Sequence, residues 1–203
     1  MVKILGICGS PRMESSAYSL DVAMKAASEV PGVETQTIYL SKKKINFCIH
    51  CNKCLRDNVT YCSVYKDDMS EFYEPFYNAD GYIISSPVYS MCYTAQLGAF
   101  FNRFRATYLI LKDDPLYFSK KVGGAIAVGG TRNGGQETTI AAIQGFYHTQ
   151  GVNIVNGGIG MYAGVSVWSR DQGAKGAEED EKGMENCRKL GKKLAETAIL
   201  VTS

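Results

Sequence analysis

Val2-Lys3-Ile4-Leu5-Gly6-Ile7-Cys8-Gly9-Ser10-Pro11-Arg12-Met13-Glu14-Ser15-Ser16-Ala17 is the stretch that decides the architecture. Residues 2–8 form a short, mostly apolar run stopping at Gly9, the pattern of a parallel strand buried on both faces. Ser15 or Ser16 then caps a helix predicted over 17–29, with Leu20, Met24 and Ala27 on one face, and Pro31-Gly32 ends it. Val33 to Leu40 alternates as a second strand. Strand, helix and strand at these lengths make a βαβ unit, the opening of an α/β sheet.

The alternation continues down the chain. Gly81-Tyr82-Ile83-Ile84-Ser85 reads as a third strand, 122–128 as a fourth and 152–155 as a fifth. Asp67-Asp68 opens a helix with Met69, Phe72, Tyr73, Phe76 and Tyr77 in one stripe, and Pro75 is expected to kink or shorten it. Thr94 caps another, whose Leu97, Phe100, Phe101, Phe104 and Tyr108 read either as core or as a subunit interface. A helix ending near Gln150 is stopped by Gly151. The last helix follows the acids at 178–181 and buries Met184, Cys187, Leu190, Leu194 and Ala198. Residues 156–173, which include the sole tryptophan Trp168, read as loop over a site or at an interface. The prediction is a single domain over 1–203 holding a doubly wound, flavodoxin-like sheet of five parallel strands.

Composition sets the limits on function. The chain has 203 residues, 45 % hydrophobic and 21 % charged, with a formal net charge of +2. That is an ordinary globular balance, and it argues against nucleic acid or an acidic membrane surface as partner. Lys42-Lys43-Lys44, the only basic run, reads as a solvated turn. No apolar run nears the ~18 residues of a membrane span. Met1-Val2-Lys3 enters a strand directly, without a signal-peptide pattern, so a reducing cytoplasm is expected. There, clustered thiols favour metal or redox work over disulfides.

Such a cluster exists. Four of the seven cysteines, Cys48, Cys51, Cys54 and Cys62, are spaced C-x2-C-x2-C-x7-C within a segment (46–63) inserted after the second strand. Three cysteines in one tight run are how ferredoxins hold corners of a 4Fe–4S cube. Structural zinc normally uses two separated knuckles and fits less well, although His50 offers an extra ligand. Disulfides or free thiols are the remaining alternatives.

Three loops that follow strands carry unusual chemistry. Gly9 to Ala17 offers helix N–H groups, hydroxyls and Arg12, a cradle for a phosphate monoester. No G-x-G-x-x-G, P-loop lysine or C-x5-R phosphatase arginine is present, since Glu14 stands where that arginine belongs. Ser86 to Tyr93 and Gly129 to Glu137 are suited to holding a flat ring. A mononucleotide beside a redox centre makes FMN the economical ligand. Only two histidines exist, His50 and His148, so no hydrolytic triad competes, and no side chain is assigned a catalytic acid or base role.

With Gly9-Ser10-Pro11-Arg12, the cysteine tract, Pro87-Val88-Tyr89, Ala95-Gln96-Leu97 and Gly129-Gly130-Thr131-Arg132-Asn133-Gly134-Gly135-Gln136-Glu137 in view, the chain resembles the archaeal-type iron–sulfur flavoproteins. These are a branch of the NADPH-dependent FMN reductases. The resemblance implies that Cys48, Cys51, Cys54 and Cys62 ligate a 4Fe–4S cluster. It places Ser10, Arg12, Ser16 and Ala17 around the FMN phosphate. Pro87, Val88, Tyr89, Ser90 and Met91, with Gly130, Thr131, Gly134, Gly135 and Gln136, would flank the ring. Many relatives have Asn-Thr where this chain has Ser16-Ala17, so one phosphate-binding hydroxyl is lost and weaker binding is expected. The resemblance further implies a ferredoxin-like electron donor, a small acceptor (dioxygen, peroxide or a quinone), and a homodimer or homotetramer. Three rival readings stand beside it: an NAD(P)H-dependent FMN or quinone reductase with a zinc-stapled loop, a non-enzymatic flavodoxin-like carrier, and a metal-stapled interaction module without flavin.

Overall fold

The computed structural model describes residues 1–202. Its frame is a parallel sheet of β1 (Val2–Cys8), β2 (Val33–Tyr39), β3 (Gly81–Pro87), β4 (Val122–Gly129), β5 (Asn153–Ile154) and β6 (Val165–Trp168). Across the sheet the order is β2-β1-β3-β4-β5, and every pairing is parallel. Cys8 pairs with Tyr39 on one side and Ser85 on the other, so three carboxyl ends finish side by side. The chain leaves β1 for β2 and then returns past it to β3. That reversal opens a crevice between the β1 and β3 ends, where open α/β sheets take ligands.

The fifth position departs from expectation. β5 pairs with Val122-Gly123 and β6 with Ile126–Gly129, both on the edge of β4 away from β3. The two segments therefore fill one strand position in succession, with residues 155–164 looping out between them. The expected 152–155 strand is only its first half. The stretch 156–173 is not all loop, because Val165 and Val167 return to bury their side chains in the sheet.

Eight helical segments connect the strands: α1 (Ser15–Ser28), α2 (Lys53–Arg56), α3 (Tyr73–Asn78), α4 (Ala95–Asn102), α5 (Thr107–Asp113), α6 (Gln136–Gln150), α7 (Gly173–Glu178) and α8 (Glu181–Thr202). Short 3-10 turns at 68–71 and 103–106 lead into α3 and α5. On one face of the sheet α1 and α8 pack through Leu20, Met24, Leu190 and Leu194. They approach so closely that a Cβ on Gly191 would sit 2.0 Å from the Ala23 carbonyl. The other face is aromatic, with Phe72, Phe76, Tyr82, Phe100, Phe104 and Tyr147 in one core. Tyr147 is fully buried and its hydroxyl donates to the Gly124 carbonyl at 2.9 Å.

Two details of that second face decide between alternatives in the sequence reading. Of the two outcomes expected at Pro75 the shortened helix is the one seen: α3 covers only Tyr73–Asn78, and Pro75 stands third in it, where its missing N–H has no intrahelical acceptor to lose. The break comes earlier, at Phe72, where the 3-10 turn gives way to α3. In the Thr94 helix, Leu97, Phe100, Phe101 and Phe104 are buried within the chain, and only Tyr108 stands out, at 53 % exposure. The core reading of that stripe holds.

Candidate functional site

At the crevice, β1 delivers the chain through Gly9–Glu14 into α1. The helix begins two residues earlier than expected, so Ser16 lies inside its first turn, and neither Ser15 nor Ser16 is the cap. Glu14 holds the cap position without a side-chain capping bond. Its carboxylate turns away and accepts the Ala174 N–H at the start of α7, at 3.2 Å. The first-turn N–H groups of α1 are thus left without an acid beside them. Ser16 Oγ is buried there with no hydrogen-bond partner among the described residues. A buried hydroxyl beside free helix N–H groups is a cost unless an acceptor fills the place. A phosphate fits that requirement.

The rest of the cradle is tied down. Ser10 Oγ accepts the Arg12 N–H at 3.1 Å, and Arg12 leaves its guanidinium in solvent. Thr94 Oγ1 donates to the Gly9 carbonyl at 2.6 Å and accepts the Leu97 N–H at 3.1 Å, capping α4 as expected. Ser41 Oγ, just past β2, donates to the Pro11 carbonyl at 2.9 Å.

The second and third loops meet beyond β3 and β4. Tyr89 and Cys92 pair across a tight turn whose central residues, Ser90 and Met91, have φ of 51° and 61°. Neither is glycine, so each carries a backbone cost of about 1–2 kcal/mol. Thr138 Oγ1 clamps the turn by donating to the Met91 carbonyl at 2.7 Å. Gly135, at φ 102°, lies under Met91, where a Cβ would come within 3.0 Å of Met91 Cα. Gln136 is buried and closes its own loop, donating to the Thr131 carbonyl at 2.6 Å and accepting the Gly134 N–H at 2.8 Å. Its side chain shapes the loop from inside.

The cysteine segment hangs beside α4. Gln96 Nε2 donates to the Leu40 and Lys43 carbonyls, fixing its entry. Asp67 and Asp68 close it: Asp67 Oδ2 accepts from the Asn46 N–H at 2.9 Å, and Asp68 Oδ2 from the Lys44 N–H at 2.7 Å. Arg103 completes the tie with a two-pronged, buried ion pair to Asp67, at 2.7 and 3.2 Å. Burial alone would raise the Asp67 carboxyl, but the bonds from Arg103 and Asn46 outweigh it and hold the group below its usual value.

All four cysteines of the segment line one small concavity, with Tyr65, Arg103 and Arg105 in its wall. None is in a disulfide. Burial pushes the Cys54 thiol up, and Cys62, Cys48 and Cys51 add to this against a hydrogen bond from the Leu55 backbone. His50 donates its N–H to Cys48 Sγ at 3.3 Å. Cys8 and Cys187 are buried in the core; burial holds the Cys8 thiol up at about 11 and raises Cys187 as well. Among the described residues, no group of three or more Cys, His, Asp or Glu side chains is drawn up around a single ion.

The profile of the NADPH-dependent FMN reductase family matches residues 2–164. The chain is 42 % identical over 189 residues to an iron-sulfur flavoprotein of Methanocaldococcus jannaschii, covering 93 % of this chain and 92 % of that one. An iron-sulfur flavoprotein of Archaeoglobus fulgidus is 42 % identical over 194 residues, at 95 % of each chain. The chain belongs to this family, in its iron–sulfur flavoprotein branch. It is therefore an FMN-dependent oxidoreductase. Solved structures agree on the fold: RosB with a bound riboflavin-phosphate intermediate superposes with a TM-score of 0.71 at 16 % identity, covering 100 % of this chain and 79 % of that one. A flavodoxin-like WrbA homologue of Agrobacterium tumefaciens gives 0.67 at 13 % identity, covering 98 % and 99 %.

In this chain the structure gathers Ser10, Arg12, Ser16 and Ala17 in the first loop and first turn of α1. Met91, in the loop that begins at Pro87, meets Gly135 of the neighbouring loop. Sequence reasoning missed three elements. Trp168 ends β6 with its Nε1–H donated to the Gly130 carbonyl at 2.9 Å, and Arg132 and Arg170 each stand 4.6 Å from its ring. The Asp67–Arg103 tie was not foreseen, nor was Arg105 in the cysteine wall. A lone tryptophan among glycines was the only signal for the first. Nothing local announced the other two.

Proposed function

We propose that this flavoprotein takes electrons singly from a ferredoxin-like donor and delivers them to a small acceptor such as a quinone, peroxide or dioxygen. FMN and a 4Fe–4S cluster would supply the chemistry when bound, one exchanging electrons in ones or twos, the other singly. The observation that supports this reading is the convergence of Cys48, Cys51, Cys54 and Cys62 on one concavity. They are the chain's only close cysteine quartet. These four would ligate the cluster, and the tie through Asp67, Asp68 and Arg103 would hold their loop in shape.

In the crevice, Ser16 Oγ–H, the first N–H groups of α1 and the Ala17 amide would hold the FMN phosphate. Ser10 and Arg12 would complete the anion site, the arginine contributing charge from the solvent side. Pro87, Val88, Tyr89, Ser90 and Met91 would form one wall for the ring. Gly130, Thr131, Gly134 and Gly135 would form the facing backbone, with Gln136 bracing it. No side chain need move a proton.

Ser16→Ala should weaken FMN binding about 10- to 100-fold, because a hydrogen bond to a charged group is worth about 1.5–3 kcal/mol. The flavin-free protein should keep its melting temperature, since Ser16 Oγ bonds to nothing there. Fluorescence titration of the flavin-free protein with FMN, beside a thermal melt, reads both. Unchanged affinity would remove Ser16 from the phosphate site.

The reaction itself is tested by anaerobic turnover. Reduced ferredoxin should drive steady reduction of a benzoquinone through the holoprotein. Equal rates with NADPH in a cluster-free preparation would replace this reading with that of an NAD(P)H-dependent reductase.

A further inference from the structure

Arg103 and Arg105 both line the cysteine concavity, and each leaves a buried Nε–H without an acceptor among the described residues. Arg103 is 2 % exposed, and its terminal nitrogens are already spent on Asp67 and on the Asn46 carbonyl at 2.9 Å. Arg105 Nη2 donates to Asn52 Oδ1 at 3.2 Å, inside the cysteine run, and its guanidinium stands 5.6 Å from the Tyr108 ring. A buried N–H of a charged group is costly when unpaired, and such groups in native structures point to a partner that completes them. The concavity that both arginines line is walled by the four cysteine sulfurs, and the Tyr73 hydroxyl is a further oxygen beside Arg103.

Building on the cluster reading above, we propose that Arg103 and Arg105 are positioning residues that donate through Nε–H to the sulfurs of the bound cluster and raise its reduction potential. Four thiolates around an iron–sulfur core leave the site with net negative charge, and one-electron reduction adds one more. Guanidinium charge at the wall and hydrogen bonds to sulfur both favour the more negative state. The electron comes from the one-electron donor. No bond is made or broken and no proton moves, since arginine stays charged throughout. The two arginines differ in weight: Asp67 offsets the charge of Arg103, whereas Arg105 forms no ion pair among the described residues. Arg105 therefore sets most of the field. Arg56 is a third neighbour, but it reaches only the Cys51 carbonyl, at 2.8 Å, and serves the loop backbone.

Arg105 is also the cleaner position to change, because Arg103 helps hold the fold. Anaerobic holoprotein of the wild type, Arg105→Gln and Arg105→Lys would be titrated against redox dyes, with the cluster followed by EPR and the flavin by its visible bands. In Arg105→Gln the equilibrium constant for cluster reduction should fall roughly tenfold or more, the scale of one lost charge-assisted hydrogen bond. Arg105→Lys should recover part of it, and the flavin equilibrium should stay put in both. Loss of the cluster from the Gln variant alone, with FMN retained, supports the same assignment through affinity. A fully loaded Arg105→Gln protein with unchanged cluster potential overturns the proposal while leaving the cluster in place. Equal cluster loss from both variants marks a structural role and overturns it too. Wild-type protein free of iron and sulfide defeats the cluster reading first, and this proposal with it.

Discussion

Replacing Cys54 with alanine should strip the chain of iron and acid-labile sulfide while leaving about one FMN bound per chain. Cys54 shares its concavity with Cys48, Cys51 and Cys62, and burial already disfavours a free thiolate there. The thiolate is stable only beside positive charge, which an iron–sulfur core provides and a bare loop does not. With three cysteines left, one corner of the proposed cluster would lack a protein ligand. The proposed phosphate cradle, by contrast, would use Ser10, Ser16 and the start of α1 and none of the cysteines. It touches the cysteine side through the bond from Ser41 to the Pro11 carbonyl, upstream of the tract. Iron, sulfide and acid-released flavin measured on anaerobic protein decide the matter. Loss of flavin in step with iron would mean that the two sites are one.

Asp67→Asn should lower the melting temperature by on the order of 10 °C near neutral pH. The carboxylate answers Arg103 twice and also accepts both the backbone and side-chain N–H groups of Asn46. The side chains of the pair are 1 % and 5 % exposed, so removing the negative charge strands a buried guanidinium. Breaking such a pair from one side costs about 3–5 kcal/mol. At roughly 2–4 °C per kcal/mol for a chain of this size, the shift is large and easily read by circular dichroism. The sign of its pH dependence follows from the lowered Asp67 carboxyl. The unfolded chain takes up the proton at about pH 3.9, before the folded one does. The wild-type advantage is thus present above that pH and disappears as pH falls through the folded value. A gap between variant and wild type that stays constant into strong acid would show that the pair is not the cause.

Much of the frame was legible because β1, β3 and β4 are buried on both faces and read as unbroken apolar runs. The fifth position was not, because it is divided. Val165-Ser166-Val167-Trp168 does alternate, yet four residues among glycines carry too little pattern to be told from loop, and only pairing with Ile126–Gly129 makes them a strand. The Phe100 and Phe104 stripe was ambiguous for a different reason. Periodicity shows which residues share a face, and the packing of Phe76 and Phe146 shows what covers it. Cysteine spacing is a local signal, and the four residues it singles out do line one concavity. The partners that brace the site are not local: Asp67 and Arg103 lie 36 residues apart, and a single sequence gives no reason to pair them. Glu14 shows the same limit. In sequence it sits where it would repel a phosphate, while in the fold it is drawn to the start of α7.

The central claim is that one small sheet holds a flavin in its crevice and an iron–sulfur cube in the loop beside it. Protein purified without oxygen and assayed for metals, sulfide and flavin per chain tests it directly. The account predicts about four irons, about four sulfides and about one FMN, with brown colour bleached by dithionite. One zinc per chain with no sulfide, or a colourless protein lacking both iron and flavin, would contradict it.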